Sequence, residues 1–164
     1  LVEESAMKFI ADSMLGSLAK WLRILGYDTL YFPNMDDDEL AYRAMAEDRV
    51  LLTRDQELAR RRGVKALLIK SSSLEEQILQ VFKELKLETK NCFSRCPICN
   101  EPLKPVEKGS IREKVPPYVF QTYEQFSLCP GCHRVYWRGS HWQRMKEMLD
   151  RLLEDPNSGE DRYA

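Results

Sequence analysis

A chain of 164 residues suffices for one ordinary domain or two small ones, since a single core holds about 100 to 150 residues, and it is too short for a large assembly. Hydrophobic residues make up 43% and charged residues 31%, with 7 Gly and 8 Pro, which excludes low-complexity and collagenous chains. The formal net charge of -1 excludes a globally basic nucleic-acid coat, but it averages over a basic stretch: residues 91 to 153 carry ten Lys and Arg against six Asp and Glu, and an acidic tail follows from Glu154.

Leu1 to Ala6, ahead of Met7, read as a cloning remnant and are set aside. Lys8 to Ala11 is an apolar run that predicts a strand, ended by Asp12, after which Leu15, Leu18, Ala19, Leu22 and Leu25 recur at helical spacing up to Gly26. Asp28 to Phe32 is rich in strand formers, and Asp36, Asp37 and Asp38 then open a helical pattern through Leu40, Ala41, Ala44 and Met45. Val50 to Thr53 has the continuous β-prone character of a buried parallel strand; Arg54 and Asp55 break it before a short basic helix ending at Gly63. Val64 to Ile69 predicts a fourth strand, and Ser73 with Glu76 predicts a capping box for a helix carrying Leu74, Ile78, Val81, Phe82 and Leu85. Strands alternating with helices imply a parallel sheet. Lys86 to Lys90 is the expected linker to short β segments around cysteines, followed by an amphipathic helix with Trp142, Met145, Met148, Leu149 and Leu152 and a tail, 154–164, expected to be disordered.

Ligands of open parallel sheets bind beyond the carboxyl ends of the strands, where the strand order reverses. Asp12 and Asp55 each directly follow a predicted strand, and Asp36 to Asp38 follow the second, so these acids are candidates to converge on one edge. Crowded carboxylates suit a hard divalent cation, and pairs of such cations promote phosphodiester hydrolysis without a protein nucleophile. The same residues also fit helix caps and turns, a reading that weighs most for Asp36 and Asp38.

Cys96-Pro97-Ile98-Cys99 and Cys129-Pro130-Gly131-Cys132 are two knuckles, separated by the 29 residues 100 to 128, a loop long enough to require a hairpin of its own. Four thiolates suit tetrahedral zinc in a closed, structural site, and the pattern fits a reducing compartment better than a disulfide framework. The protein is therefore expected inside the cell, in the cytoplasm, and no apolar run reaches the roughly 18 residues of a membrane span. Cys92 is left over, and His133 is a lesser candidate ligand. Around the knuckles, basic residues from Arg95 to Arg138 interleave with Tyr118, Tyr123, Tyr136, Trp137, His141 and Trp142, a combination suited to single-stranded nucleic acid; core roles are favoured for Tyr136 and Trp142.

The segment Phe9-Ile10-Ala11-Asp12-Ser13-Met14-Leu15-Gly16-Ser17-Leu18-Ala19-Lys20-Trp21-Leu22-Arg23-Ile24-Leu25-Gly26-Tyr27-Asp28, with Asp37-Asp38-Glu39-Leu40 and Arg49-Val50-Leu51-Leu52-Thr53-Arg54-Asp55, resembles the Mut-seven C-terminal RNase family over Met7 to Leu149. The resemblance implies a PIN-like nuclease fold fused to a zinc ribbon, with Asp12, Asp37 and Asp55 as acids for Mg or Mn and Asp38 as a neighbour in an unseparated register. Arg23 and Arg54 lie inside the matching motifs. Arg54 is a candidate phosphate partner, and Arg23 reads as a phosphate contact, a solvated charge on the helix face that includes Lys20, or a buried partner of an acid. The segment Tyr136 to Trp142 is similar to the family's stretch after the last cysteine, which selects Trp137, Arg138 and His141 as candidate RNA contacts.

The expected architecture is thus α/β: a PIN-like parallel sheet flanked by helices over 7–88, then a four-cysteine zinc ribbon with a C-terminal helix over 91–153. The expected function is metal-dependent hydrolysis of RNA, with single-stranded RNA as partner and no membrane. A non-catalytic RNA-binding module and a protein-interaction adaptor are the alternatives these residues leave open.

Overall fold

The computed structural model describes residues 7–154, so the reading of residues 1–6 and, apart from Glu154, that of the acidic tail lie outside the described residues. The chain divides between Glu101 and Pro102 into two compact units.

In the first unit, β1 (Phe9–Ala11), β2 (Thr29–Tyr31), β3 (Val50–Thr53) and β4 (Ala66–Leu68) form a parallel sheet in the order β2-β1-β3-β4. The intervening helices are α1 (Gly16–Ile24), preceded by a 3₁₀ turn at Ser13–Leu15, then α2 (Asp37–Ala46) and α3 (Gln56–Ala59), with α4 (Leu74–Glu84) following β4. The central strands are continuous apolar runs because helices cover both faces. Leu40 and Ala44 of α2 and Leu58 of α3 close over Ile10 and Leu51 in one core cluster. Successive strand residues alternate between faces, which leaves Phe9, Ala11 and Leu52 to the opposite side, and α1 packs against α4 through positions at helical spacing.

Gly26 ends α1 with φ at +99°, where a β-carbon would also collide with the carbonyl of Asn91, so both conformation and close approach demand glycine. The short basic helix expected to reach Gly63 stops earlier, at Ala59, since Leu58 is its one buried residue and no apolar stripe sustains a further turn. The capping box is rearranged: Ser73 Oγ accepts from Glu76 N at 3.5 Å, but the Glu76 carboxylate takes the Ser71 hydroxyl, and Ser71 Oγ in turn accepts from Ser73 N at 2.9 Å. The stretch Lys86 to Lys90 is held to the sheet unit, with Leu87 buried and Glu88 N donating to Tyr27 Oη at 2.8 Å.

A buried guanidinium joins the amino ends of three strands. Arg49, just before β3, donates from Nη1 to Phe9 O at 3.1 Å and to Asp28 Oδ1 at 2.8 Å, and from Nε to Glu47 at 2.8 Å. Burial opposes its charge, but the hydrogen bonds and charges of Asp28 and Glu47 outweigh that and raise its pKa. For Asp28, burial is likewise outweighed by hydrogen bonds from Arg49 and Asn100, and the pKa is lowered.

The second unit holds an antiparallel sheet, β5 (Lys104–Val106), β6 (Phe126–Leu128) and β7 (Val135–Tyr136), in that order. The expected hairpin is larger than a turn: a 3₁₀ segment at Lys108–Lys114 and α5 (Pro117–Thr122) lie between β5 and β6. Ile111, Val115, Val119 and Phe126 make its core, and α6 (Ser140–Leu153) buries Leu149.

Because the folded pKa of Asp28 lies below the unfolded value of about 3.9, its contribution is complete above that pH and is lost as the pH falls toward the folded value. Urea unfolding as a function of pH should show this loss in the wild type and not in Asp28→Asn. Arg49→Met should cost about 2 to 3 kcal/mol at neutral pH by stranding Asp28.

Candidate active site and metal centre

The sheet order reverses between β1 and β3, and this is where two predicted acids emerge. Ala11 pairs with Leu52, so Asp12 leaves β1 beside Thr53 at the end of β3. Thr53 is fully buried and works in both directions: its Oγ1 donates to Asp12 Oδ2 at 2.8 Å and accepts from Asp55 N at 3.0 Å. Asp12 Oδ1 accepts from Ser13 N at 2.6 Å, capping the 3₁₀ turn, and Asp55 Oδ1 accepts from Glu57 N and Leu58 N at 2.8 and 3.2 Å, capping α3. The cap reading of these acids is therefore correct as local structure. It leaves room for a ligand, since an ionised carboxylate offers about four lone-pair sites.

The three acids at the start of α2 separate cleanly. Asp36 is the cap, accepting from Glu39 N at 2.8 Å. Asp38 is paired with Arg61 at 2.6 Å. Asp37 feels the other acids: desolvation, followed by the charges of Asp12 and Asp55, pushes its pKa up against the pull of Arg61. Asp12, Asp37 and Asp55 thus share one electrostatic neighbourhood at the carboxyl edge, and Arg54 is exposed beside Asp55.

Arg23 lies with the first knuckle. Its Nε donates to Thr29 O at 2.8 Å and its Nη1 to Pro97 O and Ile98 O, both at 3.1 Å. Sequence reasoning had no means of finding the last two partners, which lie more than seventy positions away. It also missed Thr53, for which the sequence does carry a signal in the position of a hydroxyl at the end of an apolar strand, two residues before an acid.

The sulfurs of Cys96, Cys99, Cys129 and Cys132 all lie within 4.8 Å of one another. A tetrahedral zinc with Zn–S bonds near 2.3 Å needs separations of about 3.8 Å, so small side-chain adjustments suffice for the cysteines to hold one. The knuckles share one backbone. Cys96 N donates to Glu101 O and Cys129 N to Arg134 O at 2.8 and 2.9 Å; Asn100 N donates to Cys96 O and His133 N to Cys129 O at 2.9 and 2.8 Å. Asn100 and His133 occupy the same position in the turn, both at positive φ, 73° and 64°, which accounts for His133 without a ligand role. Cys92 is not in the cluster.

Of the aromatic candidates, Trp137 packs its ring on Phe126 with centroids 6.2 Å apart, and Gly139 makes space for it, a β-carbon there falling 2.8 Å from the indole nitrogen. Arg138 is exposed with its guanidinium 5.0 Å from the Trp142 ring centre, and His141 is exposed on the first turn of α6. No helix among the described residues is long and apolar enough to cross a membrane.

The fold is thus a parallel α/β unit with two acids at its switch point, in a chain carrying four cysteines that could hold a metal ion. The chain belongs to the family described as the Mut7-C RNAse domain, whose model matches residues 7–149. No curated protein matches it. Membership implies a ribonuclease-type function and an RNA substrate.

Metal analysis of protein purified without chelator should find one zinc per chain, and Cys132→Ser should lose it, with disorder of the β6 to β7 turn visible as faster amide exchange. Full retention of that protection in zinc-free protein would remove the metal from the fold.

Proposed function

We propose that the protein is a divalent-metal-dependent ribonuclease that hydrolyses RNA phosphodiester bonds at the carboxyl edge of its PIN-like sheet. What supports this reading is the field that Asp12, Asp37 and Asp55 share: burial, and then the charges of Asp12 and Asp55, oppose the ionisation of Asp37, and a cation bound there would relieve that opposition. When bound there, Mg or Mn makes water easier to ionise and offsets charge building on the phosphate. Asp12, Asp37 and Asp55 would hold the cation. Thr53 fixes the Asp12 carboxylate by its hydroxyl, and Ser13 N fixes the other oxygen, so that ligand is oriented before any metal arrives. Asp38, engaged by Arg61, serves the rim.

The substrate in this reading is single-stranded RNA. Arg54 is placed to meet phosphate beside the acids, while Arg138 and His141 offer exposed cationic and ring surface on the second unit. Trp137, packed on Phe126, and Arg23, hydrogen-bonded to Thr29, Pro97 and Ile98, would each act by holding their own surroundings in place. The four cysteines would hold a zinc ion with thiolates alone, and its part there would be to support the fold.

Cleavage of mixed RNAs with Mn, beside a chelator control, tests the reading. Asp12→Asn, Asp37→Asn and Asp55→Asn should each abolish cleavage and leave the fold intact. Metal-free stability of the wild type should fall as pH rises from about 3.9 through the raised Asp37 pKa, because the folded state then loses protons it holds more tightly than the unfolded chain. Asp37→Asn should remove that fall, and Mn should raise the melting temperature of the wild type alone. RNA binding without cleavage would assign the chain to the non-catalytic module.

A further inference from the structure

The first knuckle is built into the α/β unit rather than appended to it. Phe93 N donates to Ile24 O at 2.7 Å, at the end of α1. Asn100 fits its side-chain amide against the start of β2, its Oδ1 accepting from Thr29 N at 3.0 Å and its Nδ2 donating to Asp28 Oδ1 at 2.7 Å. Arg95 donates to Asn100 O at 2.6 Å. Arg23 completes the attachment from α1, one arm on Thr29 O and another on the carbonyls of Pro97 and Ile98, the two residues between the cysteines of the turn.

We infer that Arg23 is the positioning residue of the zinc centre, holding the knuckle turn in its ligating shape and tying metal occupancy to the amino ends of β1 and β2. The inference rests on the zinc reading of the four cysteines. Four thiolates around one dication leave two net negative charges, and Arg23 supplies a cation at the turn. Its Nη1 also holds both carbonyls of the two residues between Cys96 and Cys99, while its Nε holds Thr29 O. Removing partners that orient metal ligands typically changes metal affinity about 10- to 100-fold, and Arg23 would orient two of them through the turn between them. Arg23 does this from a helix of the α/β unit while also holding Thr29 O, so the turn and β2 respond to the same side chain. Zinc loss should therefore be felt at Thr29 and Phe9, at the end of the sheet away from the acids.

The test uses the full chain. Zinc release to a chromogenic chelator should be at least about tenfold faster in Arg23→Gln than in the wild type, and cobalt(II), read by its thiolate absorption, should bind at least about tenfold more weakly. Arg23→Lys, which keeps the charge but loses the fork, should fall between them, and Lys20→Gln, on the exposed face of the same helix, should match the wild type. In the wild type, chelation should speed amide exchange in peptides covering β1 and β2 as well as in the knuckles. Zinc release and cobalt affinity unchanged in Arg23→Gln, even with a lower melting temperature, would reduce Arg23 to a packing role and overturn the inference while leaving the zinc reading intact. If that variant does not fold, the wild-type exchange decides alone: sheet protection unaffected by zinc removal overturns the coupling. A chain that binds neither zinc nor cobalt overturns the zinc reading together with this one.

Discussion

The α/β unit depends on one buried charge. Arg49 reaches the carbonyl of Phe9 and the carboxylate of Asp28 while its own backbone leads into β3, so a single guanidinium ties the entry points of three adjacent parallel strands. A parallel sheet has no tight turns to align its strands, because each crossover is a dozen residues or more. The planar fork of Arg49 does that aligning at one end, and the apolar residues between helices do it along the length. A hydrophobic residue at position 49 would fill the space without specifying which carbonyls face it.

The carboxyl edge carries Asp12 and Asp55, whose charges, after desolvation, oppose the ionisation of Asp37. Thr53 joins the first two. Its single hydroxyl satisfies Asp12 and the backbone of Asp55 together, so two of the acids are anchored by the strand between them. The helix caps make a second anchor, since Asp12 and Asp55 each accept from peptide N–H groups of the turn that follows.

Much of this was legible in the sequence, for reasons that differ from element to element. β1 and β3 announce themselves because strands buried on both faces must be apolar throughout, and Asp12 and Asp55 stand out as acids at their ends. The four cysteines needed only their spacing. The register of Asp37 against Asp38 was not readable, because neighbours on a helix differ by about 100° in direction and the deciding partner, Arg61, comes from beyond the next strand. Arg23 read as a phosphate contact, a solvated charge or a buried partner of an acid, since a helical pattern shows which residues share a side and not what a distant loop brings to it. Lys86 to Lys90 read as a linker on composition, yet the polar stretch contains Leu87, which is buried, and one apolar residue with one tyrosine hydroxyl is enough to pin it. The short α3 and the diverted capping box mark the same limit: local signals name the residues that begin an element, whereas burial decides how far it runs.

The likeness of the two knuckles has a consequence for which of them is seated beside β2. Their backbones trace the same turn, with a residue at positive φ in the same place, so backbone shape gives the chain no means of telling one half from the other. The side chain at that place is one distinction between them. An amide presents an acceptor and a donor side by side, which is what Thr29 N and the Asp28 carboxylate together require, whereas the two nitrogens of the His133 imidazole point apart. The amide of Asn100, together with the bonds made by Phe93 and Arg23, thus seats the earlier turn beside β2 in a way an imidazole at the same place would not reproduce.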